Sequence, residues 1–337
     1  MNLNANNILH PKTNLNFHNT VRFLQLEMTH RCNASCLNCV GNGADRTCKD
    51  MPLDKSLECL EGILDTFNIE NIFFSCNGEF SLYKDNHKLL REIDKLIERK
   101  NYAHKYFSYD SNGIILSDEM IDALNSIKNY TFSISFSFWN GTEKEYNEYH
   151  KNHNFNDIID NIHKFYQRVH NKNVHLRFSA PYVNKEQFES ATNTIRDIIK
   201  QYDKELVIRD YFMGRDLDDA ALKNQTIFYQ RKWIIIEDDA SLTIKDKEQE
   251  RKLVKYNGCP YLGMHVIINA KGDISPCLQC NTMPRYRLGN VFEQKCDRDF
   301  WLNLYNSDKI KELYANNFRN NVYPLKECET CSTRITY

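Results

Sequence analysis

With 337 residues, 41% of them hydrophobic and 26% charged, the chain has the make-up of a soluble globular protein of about two domains. A formal net charge of −1 leaves no electrostatic case for a nucleic-acid or membrane partner. No apolar run approaches a membrane span; the densest, such as WIII at 233–236, last about four residues.

The chain opens on an Asn-rich tip, MNLNANNILHPKTNLNF, with neither the apolar core of a secretion signal nor the arginines of a transit peptide, so a cytoplasmic location is expected. The first predicted element is a strand in RFLQLEM (22–28). Three cysteines follow within eight residues, Cys32, Cys36 and Cys39, spaced C-x-x-x-C-x-x-C. Leu57, Leu60, Ile63, Leu64 and Phe67 then repeat with the i, i+3, i+4 rhythm of a helix. NIFFSC (71–76) reads as a strand, and Leu89, Leu90, Ile93, Leu96 and Ile97 as a helix. The same alternation continues with KYFSYD (105–110), a helix through Met120, Ile121, Leu124 and Ile127, and TFSISFSF (131–138). A helix through Ile158, Ile159, Ile162, Phe165 and Val169 leads to VHLRFSA (174–180), and ELVIRD (205–210) is the sixth strand. Strands alternating with helices predict an α/β fold with a parallel sheet. Six strands are too few for a closed eight-stranded barrel, so a partial barrel or an open sheet is expected, with ligands at the C-terminal ends of the strands. Cys32 stands at that end of the first strand.

No cysteine occurs in the 182 residues between Cys76 and Cys259, whereas six lie on each side of the gap. In a reducing compartment, clustered cysteines more often bind metal or do redox chemistry than form disulfides, so two metal-binding regions are expected. The second begins at Cys259. MHVIINA, a Lys-Gly-Asp turn at 271–273 and DISPC read as two strands, and KECETC (326–331) closes the region. Two C-x-x-C pairs, Cys277/Cys280 and Cys328/Cys331, also allow a zinc ribbon, although 47 residues between them exceed the usual spacing.

The first loop carries three thiols where a structural zinc site would close with four protein ligands. Each iron of a 4Fe–4S cube needs a ligand, so three thiolates leave one iron open to an outside group. The zinc alternative would need Cys48 or His30 as a fourth ligand.

In these residues the sequence resembles the radical S-adenosylmethionine (SAM) enzymes, whose cysteine loop follows the first strand of a partial (β/α)6 barrel. The resemblance implies that SAM chelates the open iron, and that reduction cleaves it to methionine and a 5′-deoxyadenosyl radical that abstracts a hydrogen atom. It implies SAM-binding roles for Asn77, Gly78 and Glu79 in CNGEF, for Asn112 in DSNG, for Ser133 and Ser135 on the fourth strand and for Arg177 on the fifth. Two positions depart from the family's pattern. Asn38 stands where an aromatic usually precedes the third cysteine, and the CNGEF turn lacks a first glycine and a following proline.

The C-terminal region resembles the SPASM auxiliary domain in its shorter form, twitch, a small α+β unit. That implies a second, fully ligated 4Fe–4S cluster on Cys259, Cys277, Cys328 and Cys331, with Cys280 and Cys296 spare and most simply structural, like Cys48 and Cys59. The expected organisation is an N-terminal extension (1–20), a partial barrel (21–225), a connecting segment (226–258) and the auxiliary domain (259–337). His150, His153 and His163 have no metal-ligand spacing and read as a solvated helix approach.

A cluster without an open iron is best used as an electron acceptor. The implied activity is therefore a two-electron oxidation of an alcohol in a small polyol or aminocyclitol, with Asp210, Tyr211 or Arg215 as the base that takes the hydroxyl proton. The rival is modification of a peptide by crosslinking, epimerisation or Ser/Cys oxidation, against which the short N-terminal segment argues mildly. A molybdenum-cofactor cyclase ranks low, because the chain ends in ITY rather than Gly-Gly. The non-enzyme alternative is a zinc-stabilised binding protein. The expected partners are the small-molecule or peptide substrate and an electron donor such as flavodoxin or ferredoxin.

Overall fold

The computed structural model describes residues 21–36, 39, 46–74, 77–138, 140–150, 154–181, 185–204, 206–210, 231–236, 262, 265–277, 281 and 283–317. Five strands are parallel neighbours in chain order: β1 (Phe23–Leu26), β2 (Asn71–Phe73), β3 (Tyr106–Ser111), β4 (Thr131–Ser137) and β5 (Val174–Pro181). The crossovers between them run through α1 (Leu53–Thr66), α2 (Asn86–Lys100), α3 (Asp118–Ser126), and the pair α4 (Glu143–Tyr149) and α5 (Phe155–Arg168); α6 (Lys185–Lys200) follows β5. This is the alternation that the apolar periodicity predicts.

The helices cover one face of the sheet. Leu60, Ile63 and Phe67 of α1, Leu90 and Ile93 of α2 and Ile158 and Ile162 of α5 are buried in one core with Leu24, Ile72, Phe107, Phe132, Phe136 and Phe178 of the strands. Successive strand residues alternate between faces, so the partners of these residues stand on the other side. There the register aligns Ser108 with Ser133 and His175, and Asp110 with Ser135 and Arg177. At these positions of β3 to β5 the second face is polar, yet Ser133 and Ser135 are buried on it.

Two features differ from the sequence reading. The sixth strand, β6 (Leu206–Asp210), does not pair with β5. The apolar run WIII lies in β7 (Arg231–Ile236), which is inserted antiparallel between them. An antiparallel neighbour needs no crossover helix, so the alternation rule does not anticipate it. The other difference is α4, whose sequence EKEYNEY offers no apolar stripe beyond its tyrosines. Its start is set instead by Thr142, whose side chain accepts a hydrogen bond from Glu145 N.

The C-terminal region continues the same sheet. β8 (His265–Ile268) pairs parallel with β1, and the predicted hairpin forms between β8 and β9 (Asp273–Ser275), followed by β10 (Gly289–Asn290). The strand order is β10-β9-β8-β1-β2-β3-β4-β5-β7-β6. Among the described residues β10 and β6 do not meet, so the sheet stays open as a partial barrel.

Two further helices, α7 (Arg298–Tyr305) and α8 (Asp308–Asn317), end the described chain. The segment leading into α7 packs on α1 at Gly62, where a Cβ would lie 1.8 Å from the Cys296 carbonyl oxygen. Trp301 Nε1 donates to the same carbonyl (3.2 Å), and the rings of Phe67 and Tyr305 meet edge to face at 4.7 Å. Cys59 and Cys296 are both fully buried in this contact. Their mutual hydrogen bond, and then burial, keep the Cys59 thiol protonated. This is the packing use of cysteine expected for both.

Candidate active site

β1 delivers the cysteine loop to the C-terminal end of the sheet. Local hydrogen bonds shape the loop: Arg31 N donates to Thr29 Oγ1 (3.1 Å), Ala34 N to Cys32 Sγ (3.4 Å) and Cys39 N to Cys36 O (3.3 Å). Cys32, Cys36 and Cys39 are half-buried and form no disulfide among the described residues. Burial pushes the Cys32 thiol up. Burial, and next the neighbouring Cys39 and Cys32, push Cys36 up to about 12. Three thiolates so close repel one another, and bound metal cations would reverse that penalty.

The turn after β2 is pressed onto this loop. A Cβ on Gly78 would lie 1.9 Å from the Thr29 carbonyl oxygen, so only glycine permits the approach. The close approach is therefore to the protein's own backbone. Glu27, buried at the end of β1, locks the contact. Its Oε1 accepts from Asn77 N (2.5 Å) and Gly78 N (3.1 Å), and its Oε2 lies 2.9 Å from His30 Nε2. From the far side of the loop, Arg46 donates to the carbonyls of His30 (2.7 Å) and Asn77 (2.5 Å).

Glu79 joins the second turn to the third. Its Oε1 accepts from Ser81 N (3.1 Å), Ser81 Oγ (2.8 Å) and Ser111 Oγ (3.0 Å), and its Oε2 from Asn112 N (2.8 Å). Burial raises the Glu79 carboxyl, and these hydrogen bonds work against that rise. Most of the carboxylate's acceptor capacity is thus spent on the protein's own turns. Asn112 reaches back to the cysteine loop, donating from Nδ2 to Asn33 Oδ1 (2.7 Å). The residues predicted around SAM therefore gather: Asn77, Gly78, Glu79 and Asn112 form one hydrogen-bonded mouth round Cys32.

Below this mouth lie Ser133, Ser135 and Arg177 on the polar sheet face. Ser135 Oγ is buried and makes no hydrogen bond among the described residues, which suits a site that receives a polar ligand. Asp210 ends β6, paired in register with Lys232. Tyr211 and Arg215 lie outside the described residues, as do Cys259, Cys280, Cys328 and Cys331. Cys277, half-buried just past β9, is the one assigned auxiliary ligand within them.

Three contributors escape the sequence reading. Glu27 does leave a trace, as a lone carboxylate closing an apolar strand. Arg46 leaves none. His150 is buried, not solvated: its Nδ1 lies 3.2 Å from Cys36 Sγ. His163 instead meets Tyr202, Nδ1 to hydroxyl at 2.7 Å, and His153 lies outside the described residues.

Removing the Glu27 carboxylate tests the lock. Glu27→Ala would strand two backbone donors in a buried turn, at about 1–3 kcal/mol each. The expected loss is roughly 3 kcal/mol in anaerobic urea unfolding, and clearly less for Glu27→Gln, whose amide oxygen still accepts. Equal losses for the two variants would count against the lock.

The donor set fits a cluster better than a single ion. Among the described residues, no three His, Cys, Asp or Glu side chains gather as they would round one metal ion. Among the described residues, neither Cys48, whose Sγ donates to Lys49 O (3.2 Å), nor His30 completes a four-ligand zinc site. Three half-buried thiols on one loop suit the irons of a cube, one thiolate to each iron.

The Radical SAM superfamily profile matches residues 26–195, and the profile of an iron-sulfur cluster-binding domain, SPASM, matches residues 259–332. No curated protein matches the chain. Among solved structures, Streptococcus suis SuiB bound to precursor peptide SuiA is similar, with 16% identity and a TM-score of 0.58 over 93% of this chain and 70% of that one. Native anSMEcpe with bound AdoMet and Cp18Cys peptide has 16% identity and a TM-score of 0.53 over 92% of this chain and 85% of that one. At such identities the likeness is one of fold. The profiles bring the expected cofactors with them: a SAM-binding 4Fe–4S cluster, SAM itself and an auxiliary iron–sulfur cluster. A match over half of the chain, running from the last residue of β1 through β5 and including the loops that frame the three thiols, makes the protein an enzyme of the radical SAM superfamily with a C-terminal SPASM domain.

Proposed function

We propose that the protein cleaves SAM reductively at the loop of Cys32, Cys36 and Cys39, and oxidises its substrate by two electrons through an auxiliary 4Fe–4S cluster on Cys259, Cys277, Cys328 and Cys331. The observation that carries this reading is the cysteine loop, braced by Glu27, Arg46 and Asn112 against the turns after β2 and β3. When bound, the cluster and SAM supply a 5′-deoxyadenosyl radical able to take a hydrogen atom from carbon. The chain's own residues bind and orient. Asn77 and Gly78 offer the turn to the SAM amino group, while Glu79 holds that turn to Asn112. Ser135, beside Arg177 in register, faces the ribose or carboxylate. Asp210, at the end of β6, is the base proposed for the hydroxyl proton, with Tyr211 and Arg215 as the nearby alternatives.

The first reading of the substrate is a small polyol or aminocyclitol-like metabolite. The polar sheet face of Ser108, Asp110, Ser133, Ser135, His175 and Arg177 supports it, since two buried hydroxyls beside half-buried charges suit a ligand rich in hydroxyls. The second reading is a peptide, crosslinked, epimerised or oxidised at Ser or Cys. It is favoured by the two similar folds solved with peptides bound, SuiB and anSMEcpe. A flavodoxin or ferredoxin would supply the electron in either case.

Anaerobic reconstitution tests the proposal. The expected product is a brown protein with about eight irons per chain that forms 5′-deoxyadenosine only when a reductant is present. A colourless protein holding zinc, with no 5′-deoxyadenosine, would overturn it. Cell extract split by dialysis then separates the substrates. Stimulation of 5′-deoxyadenosine formation by the dialysable fraction supports the metabolite, and stimulation by the retained fraction supports a larger peptide.

A further inference from the structure

α4 is a short helix with one conspicuous product, the residue that caps its end. His150 N donates to Tyr146 O (2.8 Å), which holds the cap in place. The imidazole is 1% exposed. It lies against the ring of Tyr146 at 4.4 Å and the ring of Tyr149 at 4.9 Å. Tyr146 is anchored in turn, with its hydroxyl donating to Asn112 O (3.4 Å) and its ring packed on Phe155 at 5.4 Å. The surroundings would accept a phenyl ring, and burying an imidazole there is costly unless its nitrogens are used. One is used, since Nδ1 lies 3.2 Å from Cys36 Sγ.

A thiolate bound to iron carries no proton, so it can only accept. The nitrogen facing it must therefore carry the hydrogen, and this fixes the tautomer as Nδ1–H. Donation to a cluster sulfur stabilises the extra negative charge of the reduced state more than the oxidised state, and so raises the reduction potential.

We infer that His150 is a positioning residue of the SAM-binding cluster: it donates Nδ1–H to the Cys36 thiolate, fixes that ligand's direction and makes the cluster easier to reduce. The inference rests on the reading of Cys36 as a cluster ligand and goes beyond it by adding a residue more than a hundred positions away in sequence.

The test uses reconstituted full-length protein and follows the EPR signal that changes when SAM is added, which separates this cluster from the auxiliary one. His150→Phe keeps the ring packing and removes the donor. Its midpoint potential is expected to fall by about tenfold in the one-electron reduction equilibrium, or about 59 mV. His150→Gln keeps a donor and is expected to stay within about threefold of the native equilibrium. A native potential in His150→Phe overturns the inference, as does an equal fall in both variants, which would mean that packing alone sets the potential. Should either variant fail to load its cluster, the native protein carrying 15N-histidine decides. Pulsed EPR is expected to show a weak nitrogen coupling to the reduced cluster, and no coupling overturns the inference. Retention of the SAM-responsive signal by Cys36→Ala would remove the premise itself, and is distinguishable because it leaves the potential of His150→Phe unexplained rather than unchanged.

Discussion

Cys36→Ala is expected to abolish 5′-deoxyadenosine formation and to lower the iron content from about eight to about four atoms per chain. The reason is specific to the loop. Cys32, Cys36 and Cys39 already provide only three ligands, and the fourth position of the cube belongs to SAM in the proposed arrangement. Removing one thiolate leaves two irons without protein ligands. The fold should survive, because Cys36 is half-buried and the brace between loop and turn runs through Glu27, Gly78 and Arg46 rather than through its sulfur. Cys48→Ala is the control. Its thiol donates to the neighbouring Lys49 O, it is not among the assigned cluster ligands, and the variant should keep both iron and activity. Native iron and native 5′-deoxyadenosine in Cys36→Ala would place the SAM-binding cluster elsewhere.

Cys277→Ala is expected to separate two events that the native enzyme couples. Iron should again fall to about four atoms per chain, but 5′-deoxyadenosine formation should stay within about threefold of native, a change of roughly 0.7 kcal/mol in barrier. Oxidised product should disappear, because the substrate radical would lack its electron acceptor. The measurement is the ratio of product to 5′-deoxyadenosine under excess reductant. An unchanged ratio would show that Cys277 holds no acceptor needed for turnover.

How much of the fold and of the site is legible in the sequence depends on the range of the interaction concerned. The parallel core was legible, because each strand–helix unit announces itself in a window of a dozen residues, as in Leu89 to Ile97. The hairpin of β8 and β9 was legible for the same reason, with its Lys-Gly-Asp turn between apolar runs. β7 was not. WIII stood out as apolar, but nothing local says that it returns antiparallel between β5 and β6. The cysteine loop and the turns at Asn77–Glu79 and Asn112 were legible as motifs, whereas the residues that tie them together were not. Glu27, Arg46 and His150 act on partners 50, 31 and 114 positions away. Such contacts leave no periodicity, and a histidine at the end of a polar helix looks the same in sequence whether it meets water or sulfur.

The parallel pairing of β8 with β1 has a consequence for the traffic of charge. Ser275 pairs with Ile267, and Ile267 with Gln25, so Cys277 falls toward the end of the sheet away from the cysteine loop. With β1 rising about 3.3 Å per residue, the two ends lie on the order of 10 Å apart or more. If both cysteine regions hold their clusters as proposed, an electron passing between them tunnels along a path whose length is set by backbone hydrogen bonds. Neither a hinge nor the chain that joins β7 to β8 would then set its rate, and swapping residues 237–258 of that chain, short of the proposed ligand Cys259, for a segment of equal reach should leave the transfer unchanged.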